Sequence, residues 1–191
     1  LDLGGNTQAL TAGTFTLGDG AVLRNGTFNY RDTSWSPKFG ASVSFGTGGS
    51  FTTPHRLLLK DAQALTLTAD AGTSVFGGDG ANSCNFVGVD DARSNTVTVA
   101  GGSLNFTNMA SGAGFMRLGA NGTATTKPIG VLNVSGGEVN VGHAMGLGTR
   151  HDNRLAAAYG EGVLNLSGGS VNVGTGSSTA TGNGRLGWLY L

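Results

Sequence analysis

The chain has 191 residues, of which 38% are apolar, and it contains 36 glycines but only 3 prolines. This composition can build a core and does not fit collagen or a flexible linker. Basic and acidic residues are balanced at 11 each, so no charged surface points to nucleic acid or to an anionic membrane. No apolar run approaches the roughly 18 residues of a membrane span. We therefore predict neither a nucleic-acid partner nor a membrane span in this chain.

The first sixty residues predict a series of short β-strands. Apolar and polar residues alternate over residues 14–17, 23–28 and 43–45, which is the period of a half-buried strand. Residues 56–64 break this pattern with three consecutive leucines, and they fit either a buried strand or a turn of helix. The alternation then returns at Leu65 and Leu67.

The second half of the chain carries a near-verbatim repeat. Residues 130–142 read GVLNVSGGEVNVG and residues 162–174 read GVLNLSGGSVNVG, 32 residues later, with two differences. Alternation puts Leu132 and Val134 on one face of a first strand and Val139 and Val141 on one face of a second. Gly136-Gly137 lies between them, where a sharp corner needs residues without a Cβ. Each copy therefore predicts two strands joined at a glycine corner.

The same pattern extends upstream and adds a third strand. Val97 and Val99 match Leu132 and Val134 at a spacing of 35, and Leu65 and Leu67 lie 32 residues before Val97 and Val99. A further apolar pair, Met145 and Leu147, has counterparts in residues 116–119 and 184–187. Between these strands the segments 107–114, 120–129, 149–161 and 175–183 differ in length. The pattern predicts three strands of fixed length for each repeat, separated by variable inserts.

Fixed strands with variable inserts are typical of a coiled stack, in which each strand pairs with its equivalent one turn away. A propeller blade would need four strands with hairpin turns. We therefore predict an all-β fold, a right-handed parallel β-helix (three-faced β-solenoid) with about five or six irregular coils. Residues 1–191 form one solenoid segment, irregular over 1–94 and regular over 95–191. We expect it to be part of a longer repeat protein.

The wording of the repeats resembles a known family. Residues 1–8 (LDLGGNTQ) and residues 130–174, with their Asn-hydrophobic-Ser-Gly-Gly motif, are similar to the autotransporter-associated β-strand repeats of bacterial autotransporter passenger domains. The resemblance implies a secreted, surface-displayed β-helical stalk or adhesin. It also implies an extracellular or cell-surface location in bacteria.

Asparagines recur at equivalent outward positions of the repeats. Asn133 and Asn165 form one such set, and Asn105, Asn140 and Asn172 form another. Stacked strands would bring their amides into hydrogen-bonded ladders along the sheet. We predict a structural role for these ladders in preference to glycan binding.

Two segments contain candidate ligand-binding residues. The insert 149–161 gathers Arg150, His151, Asp152 and Tyr159 in a chain that is otherwise poor in charge. His151 beside Asp152 suits acid and base chemistry, although a catalytic pair also needs a third group and a cleft. A solvated loop is the simpler interpretation, and we assign no catalytic residue.

The second candidate segment is residues 28–39. It interleaves aromatic side chains, among them Tyr30 and Trp35, with Arg31. Such a mixture suits stacking on sugar rings or on a partner surface. Packing over the core is the simpler interpretation.

The sequence favours a structural or adhesive surface module, a rigid stalk that presents variable loops to a glycan or to the surface of a host or neighbouring cell. The uncapped apolar ends also suggest end-to-end self-association into fibres. The alternative is a carbohydrate-active or carbohydrate-binding β-helix, similar to a polysaccharide lyase or hydrolase, which rests on fold analogy. Glycine-rich turns occur without the tandem copies of a calcium repeat, so we predict no metal and no cofactor.

Overall fold

The computed structural model describes residues 1–32, 37–77, 85–90, 92–107, 115–148, 160–175 and 189–190. These residues form an all-β structure without a helix. The strands are β1 (Asp2–Leu10), β2 (Thr16–Leu17), β3 (Ala21–Tyr30), β4 (Lys38–Phe39), β5 (Ser42–Phe45), β6 (Gly49–Thr53), β7 (Leu58–Leu59), β8 (Ala64–Leu67), β9 (Thr73–Phe76), β10 (Asn85–Val89), β11 (Ser94–Val99), β12 (Ser103–Phe106), β13 (Met116–Ala120), β14 (Ile129–Val141), β15 (Met145–Leu147), β16 (Glu161–Val173) and β17 (Leu189–Tyr190).

The main sheet closes on itself. Its ten parallel strands run in the order β1-β3-β5-β8-β11-β14-β12-β9-β6, with β6 also pairing with β3 and with β16 pairing with β14. Eight of them, from β3 through β14 and back to β3, therefore form a closed parallel β-barrel. The eight parallel strands of a TIM barrel close in the same way. The predicted right-handed β-helix is wrong, and so is the description of the chain as a β-solenoid repeat protein.

The physical reason for this difference lies at the glycine corners. The sequence predicts that a corner separates two strands into two sheets, whereas β14 runs through Gly136 and Gly137 as one strand of 13 residues. Gly137 takes a φ of 67° and lets the backbone turn, because a residue without a Cβ enters this region at little cost. The strand keeps its hydrogen bonds with β11 before the corner and with β12 after it. The two expected sheets are consequently one sheet.

The predicted pairing registers are confirmed over the second half of the chain. Leu65 pairs with Val97, Val97 with Leu132, and Leu132 with Leu164. Residues 56–64, which fitted a strand or a helical turn, contain the short strand β7 followed by a turn.

A second parallel sheet holds β17, β15, β13, β10 and β7 in that order, and β2 pairs with β4 in a small third one. In the second sheet, the predicted pairing of Met116 with Met145 is confirmed. The predicted counterpart at 184–187 lies outside the described residues, and the strand that pairs with Met145 begins further along, at Leu189.

One apolar core fills the space inside the main sheet. Buried side chains alternate with more exposed ones along β8, β11, β12 and β14, as the two-residue period requires. In β14 the inward residues Leu132, Val134, Val139 and Val141 are at most 1% exposed. Each such side chain contributes about 1.5–3 kcal/mol of burial free energy before ordering entropy is subtracted. The second sheet adds Met116, Leu118 and Met145 to the same core.

Candidate functional site

Five of the predicted ligand-binding residues lie outside the described residues. They are Trp35, Arg150, His151, Asp152 and Tyr159. The remaining two, Tyr30 and Arg31, stand at the end of β3 and have different surroundings.

Tyr30 belongs to the core. Its side chain is fully buried, and its hydroxyl donates a hydrogen bond to the Gly13 carbonyl at 2.9 Å. Burial, together with the nearby Asp32 carboxylate, raises the pKa of Tyr30, so the phenol stays protonated. A buried ring is not available for stacking on a sugar at the surface. Arg31 is exposed, and its backbone N–H donates to the Leu10 carbonyl at 2.8 Å.

A shallow groove lies beside Arg31. Its volume is about 290 Å³, and it is lined by Asn29, Tyr30, Arg31, Thr52, Thr53, Pro54, Val75, Gly77 and Thr107. Asn29, Thr52 and Val75 occupy one register row of three neighbouring strands. Amides and hydroxyls of this kind exchange hydrogen bonds with sugar hydroxyls, and a guanidinium pairs with a carboxylate. The lining is mainly apolar and carries only these few polar groups, which suits a small ligand that has both an apolar face and hydroxyl groups.

A buried polar contact ties together the chain segments near this groove. The Asp32 carboxylate accepts a hydrogen bond from the Gly13 N–H at 2.7 Å. The carbonyl of the same residue contacts Nε2 of His55, which is 3% exposed. These contacts fix the segments after β1, β3 and β6 relative to one another, which is a structural role.

The asparagines of the repeat region form two hydrogen-bonded rows on the outer face. In the first row Nδ2 of Asn140 donates to Oδ1 of Asn105 at 2.8 Å, and Nδ2 of Asn172 donates to Oδ1 of Asn140 at 2.9 Å. In the second row Nδ2 of Asn165 donates to Oδ1 of Asn133 at 2.8 Å. In all three contacts the asparagine of the later strand donates to the asparagine of the earlier one, so the rows have a direction.

A third polar cluster lies on the second sheet. Arg117 in β13 is 2% exposed, and its guanidinium carbon lies 5.4 Å from the centre of the Phe115 ring. The same ring packs against the His143 imidazole, with the ring centres 4.2 Å apart and the ring planes inclined by 34°. Burial lowers the pKa of His143, so this imidazole is neutral at pH 7. The cluster is closed to a substrate and stabilises the cation through the aromatic face.

The two outer edges of the main sheet are the remaining candidate surfaces. On β16, Leu166 is 55% exposed, whereas its partner Val134 in β14 is 1% exposed. At the other edge, Leu1 next to β1 is 57% exposed. Exposed apolar residues on a strand edge are sites for pairing with another chain.

Within the described part of the chain, no three His, Cys, Asp or Glu side chains gather in a way that could hold a metal ion. None of the described residues forms a helix long and apolar enough to cross a membrane.

Comparison with known proteins gives no match to a family model, to a curated protein or to a solved structure. The resemblance to autotransporter-associated repeats therefore stays a prediction that rests on the residues quoted for it.

The sequence missed the groove because its residues carry no motif. Thr52 and Thr107 are ordinary strand-end threonines, and only the register brings them near Asn29. The β16 edge was closer to prediction, because the repeat already marks Leu164, Leu166, Val171 and Val173 as inward-facing residues.

Proposed function

We propose that this chain is a structural or adhesive module, displayed outside a bacterial cell, whose rigid parallel β-framework presents variable loops. The in-register pairing of the two repeat copies carries this proposal: β14 and β16 match residue for residue on both sides of the glycine corner. The asparagine rows reinforce the same pairing on the outer face. The resemblance to adhesin repeats adds the cell-surface context.

Such a framework separates stability from recognition. The paired strands carry the core and the ladders, while the inserts between them differ in length and sequence. Loops held on a rigid scaffold are common sites of binding. The insert between β15 and β16 is the strongest candidate, because it carries Arg150, His151, Asp152 and Tyr159.

Adhesion of chain-coated beads to bacterial and animal cells and to immobilised polysaccharides tests this function. One variant replaces residues 149–159 with a Gly/Ser linker of equal length, and a matched control replaces residues 121–127 in the same way. We expect only the first replacement to abolish bead retention, with thermal unfolding of the chain unchanged in both. Retention that survives both replacements, or saccharide fragments released over time, would contradict the proposal.

The groove beside Arg31 favours saccharide binding as a second candidate function. Thr52→Phe fills the groove and is expected to abolish binding of oligosaccharides measured by calorimetry. Thr66→Phe, at a half-buried position of β8 that does not line the groove, is the matched control. Arg31→Gln should weaken acidic oligosaccharides more than neutral ones. Equal affinities for the Thr52 and Thr66 variants would exclude this groove as the site.

A further inference from the structure

The edge of β16 repeats the edge that β14 uses to bind β16. Leu132, Val134, Val139 and Val141 of β14 pair with Leu164, Leu166, Val171 and Val173 of β16. In β14 these side chains are covered, and in β16 the equivalent side chains are partly or largely exposed. The last strand of the sheet therefore carries a second copy of a surface that is already an interface within the molecule.

The backbone of β16 is poised for the same pairing. Ala100 N–H donates to the Leu67 carbonyl, and Gly142 N–H donates to the Phe106 carbonyl. Both acceptors are inward-facing residues, and the donors come directly after the last residues of β11 and β14, the strands that pair with β8 and β12. Because hydrogen-bonding directions alternate along a parallel strand, the inward residues of β16 direct their N–H and C=O groups away from β14. These groups line the outer edge of β16.

The side-chain amides point the same way. In each of the three contacts the later asparagine donates to the preceding strand, so an acceptor oxygen remains at the forward end of each row. Among the described residues, Oδ1 of Asn165 and Oδ1 of Asn172 accept no hydrogen bond. A following strand with asparagine at both positions would supply the two missing donors.

The opposite edge of the sheet has a different design. The register of β1 with β3 shifts between Asp2 and Asn6, but the register of β14 with β16 also shifts at its glycine corner, so the difference between the two edges lies in their side chains. Gln8, an exposed polar residue, stands opposite Phe28 in an inward row. The Asp2 carboxylate is engaged by Arg24 and Asn25. Polar side chains in an inward row protect an edge from association, so the β1 edge is a poor partner for β16.

We propose that the β16 edge docks a further parallel strand of the same pattern, with Leu-Asn-Leu and Val-Asn-Val on either side of a Gly-Gly corner. The glycines are required by close backbone approach. A Cβ on Gly168 would lie 2.4 Å from the Ser135 carbonyl oxygen, and one on Gly169 would lie 2.3 Å from the Gly137 carbonyl oxygen. An incoming strand meets the same geometry against β16. This inference goes beyond the proposed function, because it holds whether or not the loops bind a target.

Fluorescence anisotropy with a labelled synthetic peptide tests the docking. The peptide has the sequence of residues 161–174, and it is titrated with the purified full chain. Leu166→Lys should weaken binding at least tenfold, because it charges the exposed apolar row. Leu1→Lys alters an equally exposed leucine at the other edge and should leave binding unchanged. A peptide with alanine in place of both corner glycines should not bind.

Hydrogen exchange locates the bound peptide independently of these variants. Binding should slow exchange at the amides of Leu164, Leu166, Val171 and Val173 and leave those of Asn165 and Asn172 unchanged. Peptide capture that is insensitive to Leu166→Lys, or protection confined to β1, would overturn the proposal. Self-association of the chain that is blocked by Leu1→Lys as well as by Leu166→Lys would also overturn it, because the occupant would then be the β1 edge of a second copy.

Discussion

The two halves of the main sheet belong to one closed parallel arrangement, but they differ in the spacing of paired strands and in the side chains that fill the core. Up to residue 77, most paired strands are 22 or 23 residues apart, as in Val43 with Leu65 and Phe28 with Phe51, and β1 pairs with β3 mainly at a spacing of 20. Phenylalanine rings fill much of that half of the core. From residue 94 onward the pairs are 32 or 35 residues apart, the core is mainly aliphatic, and amide rows cover the outside.

The extra residues of the longer spacing allow longer strands in the second sheet. The five-residue strands β10 and β13 of the second sheet lie within the longer spacings, whereas β2, β4 and β7 have two residues each. The first half compensates with large rings, which bury more area for each residue. In the repeat half, nearly identical strands align their asparagine amides and their glycines from one copy to the next. Four sets of substitutions test this contrast, in order of decreasing effect.

Removing the central ring of the aromatic half should cost the most stability. Phe51 is fully buried, with ring centres 5.6 Å from Phe76 and 5.8 Å from Phe45. We expect Phe51→Ala to lower the free energy of unfolding by about 4 kcal/mol and Leu132→Ala, in the aliphatic half, by about 3 kcal/mol. Urea denaturation measures both, and exposed Val22→Ala is the control. A smaller loss of unfolding free energy for Phe51→Ala than for Leu132→Ala would contradict the idea that large aromatic rings stabilise the first half.

The glycine corners should be sensitive in the repeat half and tolerant in β1. Gly137 and Gly5 both have positive φ, but only at Gly137 would a Cβ meet backbone, at 2.4 Å from the Gly102 carbonyl oxygen. Gly5→Ala should cost about 1–2 kcal/mol, the price of the left-handed conformation alone. Gly137→Ala should cost about 3 kcal/mol, since strands must also move apart. Equal losses in thermal unfolding would mean that close approach is unimportant.

The asparagine rows should contribute a smaller amount. Asn140 makes hydrogen bonds to a neighbour on each side, Asn105 and Asn172, whereas Asn165 makes one to Asn133. At about 1 kcal/mol for each hydrogen bond, Asn140→Ala should destabilise by about 2 kcal/mol and Asn165→Ala by about 1 kcal/mol. Chemical denaturation distinguishes the two values. If Asn140→Ala caused no loss of stability, the hydrogen bonds of the row would not contribute to the stability of the fold.

The smallest effect concerns pH and His143. Burial lowers the pKa of this imidazole in the folded chain, whereas an unfolded histidine titrates near about 6.5. The unfolded state therefore binds the proton first, and stability falls as the pH drops below that value. His143→Phe should flatten this part of the stability profile between about pH 5 and 7. An unchanged slope would assign the pH dependence to other groups.

The sequence predicts the strands better than it predicts how they join. Alternation identifies Leu132 and Val134 as inward residues, and the 32-residue period identifies their partners. Closure of the sheet depends on whether hydrogen bonding continues through Gly136-Gly137. A glycine pair permits both a strand end and a sharply turned continuous strand, so composition alone does not decide between them.

The candidate site divides in the same way. The asparagine positions follow from the repeat, because equivalent residues in register must become neighbours. The groove beside Arg31 does not, because it combines Asn29, Thr52 and Thr107 from strands of the irregular half. Without a periodic signal, no sequence spacing reveals that these side chains share one surface.

Amide hydrogen exchange of the free chain by NMR tests most directly whether β16 has an open edge on the closed parallel sheet. We predict alternation along β16, with slow exchange at Asn165 and Asn172, whose N–H groups face β14, and fast exchange at Leu166 and Val173. Val134, between β11 and β16, should exchange slowly. If the Leu166 amide exchanged as slowly as the Val134 amide, the β16 edge would be covered and not open.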